Sequence, residues 1–175
     1  MDIIRYEELS SPIGTLTLGI SPSGALCQID FGPFESNRLT LEAWSKRWFG
    51  TSCWEPDAGS AGQAREELEA YFAGQLDRFT TPLELRGTSF QLSVWDALRT
   101  VPFGTVCAYK DIAERLGAPK AVRAVGGANN RNPVPIIVPC HRVIGAGGGM
   151  VGYGGGLEVK TFLLRLEGHA AGGEA

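Results

Sequence analysis

The chain has 175 residues, 43% hydrophobic and 20% charged, so it can bury an ordinary core without disulfides or metal. No stretch nears the roughly 20 apolar residues of a membrane span, and the opening MDIIRYEELS lacks the apolar core of a secretory signal, so a cytoplasmic protein is expected. The net charge of −3 hides a division: residues 1–85 hold 6 Lys/Arg against 13 Asp/Glu, and residues 86–168 hold 10 against 5. A basic second half suits a polyanion, because Lys and Arg neutralise phosphates; chance segregation of charge is the other reading.

The first 31 residues read as three strands. Ile3–Tyr6, Thr15–Leu18 and Ala25–Phe31 are separated by turns at Ser11-Pro12-Ile13-Gly14 and Ser21-Pro22-Ser23-Gly24, which predicts an antiparallel meander. A helix over 35–49 follows, then a loop over 50–59 carrying Gly50, Pro56 and Gly59. Ser60 and Gln63 form a capping-box pattern ahead of a helix with Ala64, Leu68, Tyr71 and Phe72 on one face and Gly74 at its end. The connector 75–87 contains Pro82 and Gly87 and marks the expected domain boundary.

A second capping box, Thr88 and Gln91, opens a helix with Phe90, Val94, Trp95 and Leu98 in a stripe. Tyr109, Ile112, Ala113 and Leu116 predict a short helix that Gly117 ends, with Pro119 in the first turn of the next, through Val122 and Val125. Two short helices joined by a Gly-containing turn match a helix-turn-helix, although helical hairpins share the pattern. Residues 126–156 are rich in Gly and Pro and read as irregular. A last helix is expected over Leu157–Glu167, with Val159, Phe162, Leu163 and Leu166 apolar, and 169–175 as a flexible tail. The fold class is α+β: an N-terminal antiparallel three-stranded sheet with helices (1–85), then a helical domain with a helix-turn-helix and a loop carrying Cys140 (86–168).

The chemistry concentrates in Asn132-Pro133-Val134-Pro135-Ile136-Ile137-Val138-Pro139-Cys140-His141-Arg142-Val143. Three prolines in seven residues fix φ and exclude a helix, yet the interleaved residues are apolar enough for burial. A buried irregular segment strains backbone hydrogen bonding, which suggests a position held for a purpose. Cys140 ends the run and His141 follows it. An ordinary thiol is only a few per cent thiolate at neutral pH, and a neighbouring base answers that limit. The other cysteines, Cys27, Cys53 and Cys107, read as small core residues. With no C-x-x-C pair, and only His141 and His169 as histidines, neither a metal nor a cofactor is expected.

The motif Pro139-Cys140-His141-Arg142-Val143, preceded by Asn132-Pro133-Val134-Pro135, resembles the active site of the O6-alkylguanine-DNA alkyltransferase family. The likeness extends through Tyr109-Lys110, Arg123-Ala124-Val125-Gly126-Gly127, Gly152-Tyr153 and Lys160–Glu167, and more loosely over 1–85. It implies that Cys140 accepts an alkyl group and is consumed. His141 would activate it through a water, Glu167 would orient the imidazole, Asn132 would brace the turn, and Tyr109 would hydrogen-bond the base. It further implies that Arg123 fills the gap left by a flipped nucleotide, with Ala124, Tyr109, Asn129 and Arg131 also facing DNA. Val143, Tyr153, Gly154 and Lys160 would form the substrate pocket.

Double-stranded DNA carrying O6-alkylguanine, and O4-alkylthymine as well, is the implied partner of a monomeric protein. Gly154 stands where some members carry Ser, and residues 1–85 contain no His for the structural zinc of others. The alternatives are a non-catalytic lesion binder, which would lack the Cys, a helix-turn-helix regulator, and a cysteine hydrolase using Cys140, His141 and Glu167.

Overall fold

The computed structural model describes residues 2–145 and 153–169. The expected flexible tail beyond His169, and Gly152, lie outside them. The chain divides into two compact units, 1–86 and 87–175.

In the first unit, β1 (Ile4–Ser11), β2 (Gly14–Ile20) and β3 (Leu26–Phe31) form the antiparallel meander. The first turn closes through Ser11 Oγ on Gly14 O, with Gly14 at φ 99°, where a side chain would be strained. Helix α1 (Phe34–Phe49) follows, then β4 (Trp54–Pro56) and α2 (Gly62–Phe72).

Strand β4 corrects the sequence reading. Part of the expected loop 50–59 pairs in parallel with β1, giving a four-stranded sheet of order β3-β2-β1-β4. Three residues are too few to show alternation, and Pro56 is tolerated because β4 is an edge. An aromatic cluster fills this core. Tyr6 stacks on Phe34 with centroids 4.1 Å apart, and Trp54 lies against both. The Trp54 indole donates to Ser45 Oγ at 2.9 Å.

The capping box expected at Ser60 does not form. The helix begins after Ala61 with no side-chain cap, because buried Glu7 of β1 accepts the Ala61 N–H at 2.8 Å. A tertiary carboxylate replaces the local cap, held in turn by Arg65 of α2.

The second unit opens on α3 (Ser89–Leu98), whose Thr88–Gln91 capping box is complete. Gly87 is required there, since a Cβ would come within 2.6 Å of the Trp95 ring. Strand β5 (Cys107–Ala108) leads into α4 (Tyr109–Arg115), then α5 (Val122–Asn130). Helix α5 starts three residues beyond Pro119, which sits in the inter-helix turn instead of the first helical turn, and it extends through part of the stretch read as irregular.

Trp95 packs fully buried and donates to Ala128 O at 2.9 Å, tying α3 to α5. A 3-10 turn over Cys140–Arg142 precedes β6 (Val143–Ile144), which pairs in parallel with β5, and α6 (Leu157–Leu166) closes the unit. No helix among the described residues is long and apolar enough to cross a membrane.

Candidate active site

The proline-stiffened run folds into a buried turn that Asn132 ties at both ends. Its Oδ1 accepts from Val134 N at 2.9 Å and its Nδ2 donates to Val138 O at 2.8 Å. Val138 N donates to Val134 O at 2.9 Å, and Ile136 between them has φ 76°. A β-branched residue in the left-handed region is strained, so the side-chain clamp and the fully buried Val134, Ile136 and Val138 hold a turn the backbone disfavours. Replacing Asn132 with Ala strips partners from two backbone groups and should cost about 2–4 kcal/mol of stability by urea unfolding. A change below about 0.5 kcal/mol would contradict the bracing role.

The turn delivers Cys140, 4% exposed, onto the 3-10 segment. Burial pushes its thiol up to about 11, against opposing contributions from Asn132, Lys160 and Tyr153. The need for a base is therefore greater than an exposed thiol would have: at neutral pH roughly one thiol in ten thousand is ionised unaided.

His141 and Glu167 are fully buried side chains, with His141 Nε2 2.7 Å from Glu167 Oε2. The pairing sets the tautomer: Nε2 carries the proton toward the carboxylate, and Nδ1 presents its lone pair. Nδ1 is buried with no protein hydrogen-bond partner among the described residues. Burial holds the imidazole below its ordinary value, against the pull of Glu167, so it is neutral at pH 7 and able to take a proton.

The remaining residues sort into two groups. Tyr109, at the start of α4, is half-buried; burial raises its hydroxyl, and it hydrogen-bonds Asn129 and senses Cys140. Asn129 is 2% exposed and lies with Tyr109 in this buried group. Lys160 is fully buried on α6 and donates to Val143 O at 2.7 Å. Desolvation lowers it to about 8. Its ammonium thus holds the backbone just after the Cys140–Arg142 turn. Tyr153 is half-buried and interacts with Cys140. Gly154 is exposed, and a Cβ there would meet nothing within 4 Å, so a serine would fit.

Arg123 and Ala124 on α5, and Arg131 just after it, are exposed. They form the second group, on the second helix of the helix-turn-helix.

Sequence reasoning missed Arg142. Its Nε donates to Glu167 Oε1 at 2.8 Å, one Nη to Oε2 at 3.0 Å, and the other to Val101 O at 2.7 Å. A long charged residue between Cys140-His141 and apolar Val143 in a proline-rich run was the available signal. Among the described residues no group of three or more His, Cys, Asp or Glu is placed to hold a metal ion.

A buried thiol next in sequence to a buried imidazole–carboxylate pair, on a unit with a helix-turn-helix, joins the groups that cysteine chemistry uses to a scaffold common among nucleic-acid-binding proteins. Residues 89–169 match the family model for the 6-O-methylguanine DNA methyltransferase DNA binding domain, and residues 4–85 match the model for the ribonuclease-like domain of the same proteins. The chain is 57% identical over 168 residues to a methylated-DNA–protein-cysteine methyltransferase of Mycobacterium leprae, covering 95% of this chain and 94% of the relative. It is 47% identical over 165 residues to that of Mycobacterium tuberculosis strain H37Rv, covering 94% and 93%. The crystal structure of M. tuberculosis OGT in complex with DNA matches with a TM-score of 0.80 at 44% identity, covering 97% of this chain and 96% of that one. The chain belongs to the methylated-DNA–protein-cysteine methyltransferase family.

Proposed function

We propose that this protein repairs DNA by direct reversal, transferring the alkyl group of O6-alkylguanine irreversibly to Cys140, one group per molecule. The observation that carries this reading is the buried thiol of Cys140, next in sequence to a buried His141–Glu167 pair whose imidazole Nδ1 has no protein partner among the described residues. Family membership supplies the reaction class. The second unit would carry both DNA binding and transfer.

In the step itself, the sulfur proton passes to His141 Nδ1, directly or through a water. Sulfur attacks the alkyl carbon, the S–C bond forms, and the C–O6 bond breaks with its electron pair leaving on the base. Tyr109, whose burial retains its proton, donates a hydrogen bond to the departing guanine as negative charge develops; the proton taken up by His141 is then passed through water to the base, leaving neutral guanine and a neutral imidazole. The product is a thioether, which no residue of the site can cleave.

An alkyl group on guanine O6 lies inside the duplex stack, so the nucleotide has to rotate out to reach a buried thiol. Exposed Arg123 on α5 is suited to enter the space left behind. Arg123→Ala should slow repair of duplex DNA by on the order of ten- to a hundred-fold, the size of an unstacking cost of a few kcal/mol. Reaction with the free modified base should be unchanged; equal losses on both substrates would argue against this role.

The experiment that separates repair from mere lesion recognition uses duplex DNA with O6-methylguanine in a restriction site that the lesion blocks. The wild-type protein should restore cleavage, and Cys140→Ala should bind the same duplex and leave it blocked. Restoration by Cys140→Ala would overturn the proposal.

A further inference from the structure

The Glu167 carboxylate does not serve His141 alone. Arg142 closes a two-point fork on both of its oxygens, so Oε2 is shared between the guanidinium and the imidazole. The third arm of Arg142 is anchored on Val101 O, and its guanidinium lies 5.8 Å from the centre of the Phe103 ring. The side chain is 8% exposed. This fork fixes the carboxylate plane, and with it the direction of His141 Nδ1.

The fork also bears on charge. A lone buried carboxylate against His141 would draw a second proton onto the ring and make an imidazolium, which has no lone pair for the thiol proton. The charged groups facing His141 are Glu167, Arg142 and Lys160; the two cations oppose the carboxylate. Lys160 is committed to Val143 O, whereas Arg142 contacts the carboxylate itself.

We propose that Arg142 is a positioning residue for alkyl transfer: its fork orients Glu167 and offsets its charge, so that His141 remains a neutral base. This rests on His141 taking the thiol proton. The test is the rate of methyl transfer from duplex DNA between pH 5 and 9 for wild type, Arg142→Gln, Arg142→Lys and His141→Gln.

Arg142→Gln should move the acid limb of the profile upward by about one pH unit, with the alkaline rates of variant and wild type converging. Arg142→Lys, which keeps a charge but not the fork, should move it the same way by less. It takes the place of the Gln variant if that protein does not fold.

A guanidinium that only supports the fold would lower the melting temperature or the whole profile and leave the limb in place, and that result overturns the proposal. His141→Gln separates the two ideas. A limb that persists in it removes His141 as the base and the proposal with it. A limb lost there but unmoved in the Arg142 variants overturns the Arg142 inference alone.

Discussion

Replacing His141 with Ala should slow methyl transfer at pH 7 by about 10²–10⁴-fold, the usual contribution of a positioned general base. The size follows from the thiol. Burial raises Cys140 to about 11, so without a proton acceptor the reactive thiolate is scarce. The residual reaction should grow with pH, since hydroxide can then do what the imidazole did. Single-turnover kinetics on O6-methylguanine duplex would measure both effects. A variant rate within a few-fold of wild type at pH 7 would show that the proton leaves by another route.

The second large effect is on stability. Glu167 is 4% exposed and neutralises Arg142, 7% exposed. Glu167→Ala leaves a guanidinium buried without its counter-charge, which should cost about 3–5 kcal/mol. For a chain of this size that corresponds to a melting temperature lower by roughly 6–20 °C. The double variant Glu167→Ala/Arg142→Met, which removes both charges, should recover part of the loss. If the single and double variants melt together, the buried pair is not the source of the cost. Transfer should also fall in Glu167→Ala, since the imidazole loses the carboxylate that holds its Nε2 proton.

The same residues explain why parts of the molecule were legible in the sequence and others were not. Thr88–Gln91 was readable because a capping box is made within four residues. Ser60–Gln63 has the same spelling and failed because Glu7, more than fifty residues away in sequence, reached the helix start first. Local chemistry is decisive only where no tertiary partner competes.

Helix α6 shows the same limit on hydrophobic patterning. The sequence reading names Phe162 among the apolar residues of this helix, yet Phe162 is 36% exposed. The buried positions are Lys160, Leu163, Leu164 and Glu167, a regular i, i+3, i+4, i+7 face on which two of four residues are charged. Those two positions are occupied by chemistry, one on Val143 O and one on His141 and Arg142. Periodicity that counts only apolar residues slides off such a face.

The site itself was largely visible because the proline run is rare and its end carries Cys140 and His141. What the sequence does not display is burial. Cys140 reads as an ordinary thiol beside a base, but the fold places it where its proton is held more tightly than in water. Arg142 likewise counts toward the basic half in the sequence and is engaged inside on a carboxylate. Arg123 and Arg131, on and beside α5, are among the exposed cations of that half.

The central claim is that Cys140 is a reagent consumed once. Its most direct test is intact-mass spectrometry after titrating the protein with duplex DNA containing O6-methylguanine, followed by peptide mapping. The account predicts a gain of one methyl group per chain that stops at one equivalent of lesion and maps to Cys140, with Cys27, Cys53 and Cys107 unmodified. Repair of more than one lesion per molecule, or a methyl gain that persists in Cys140→Ala, would contradict it.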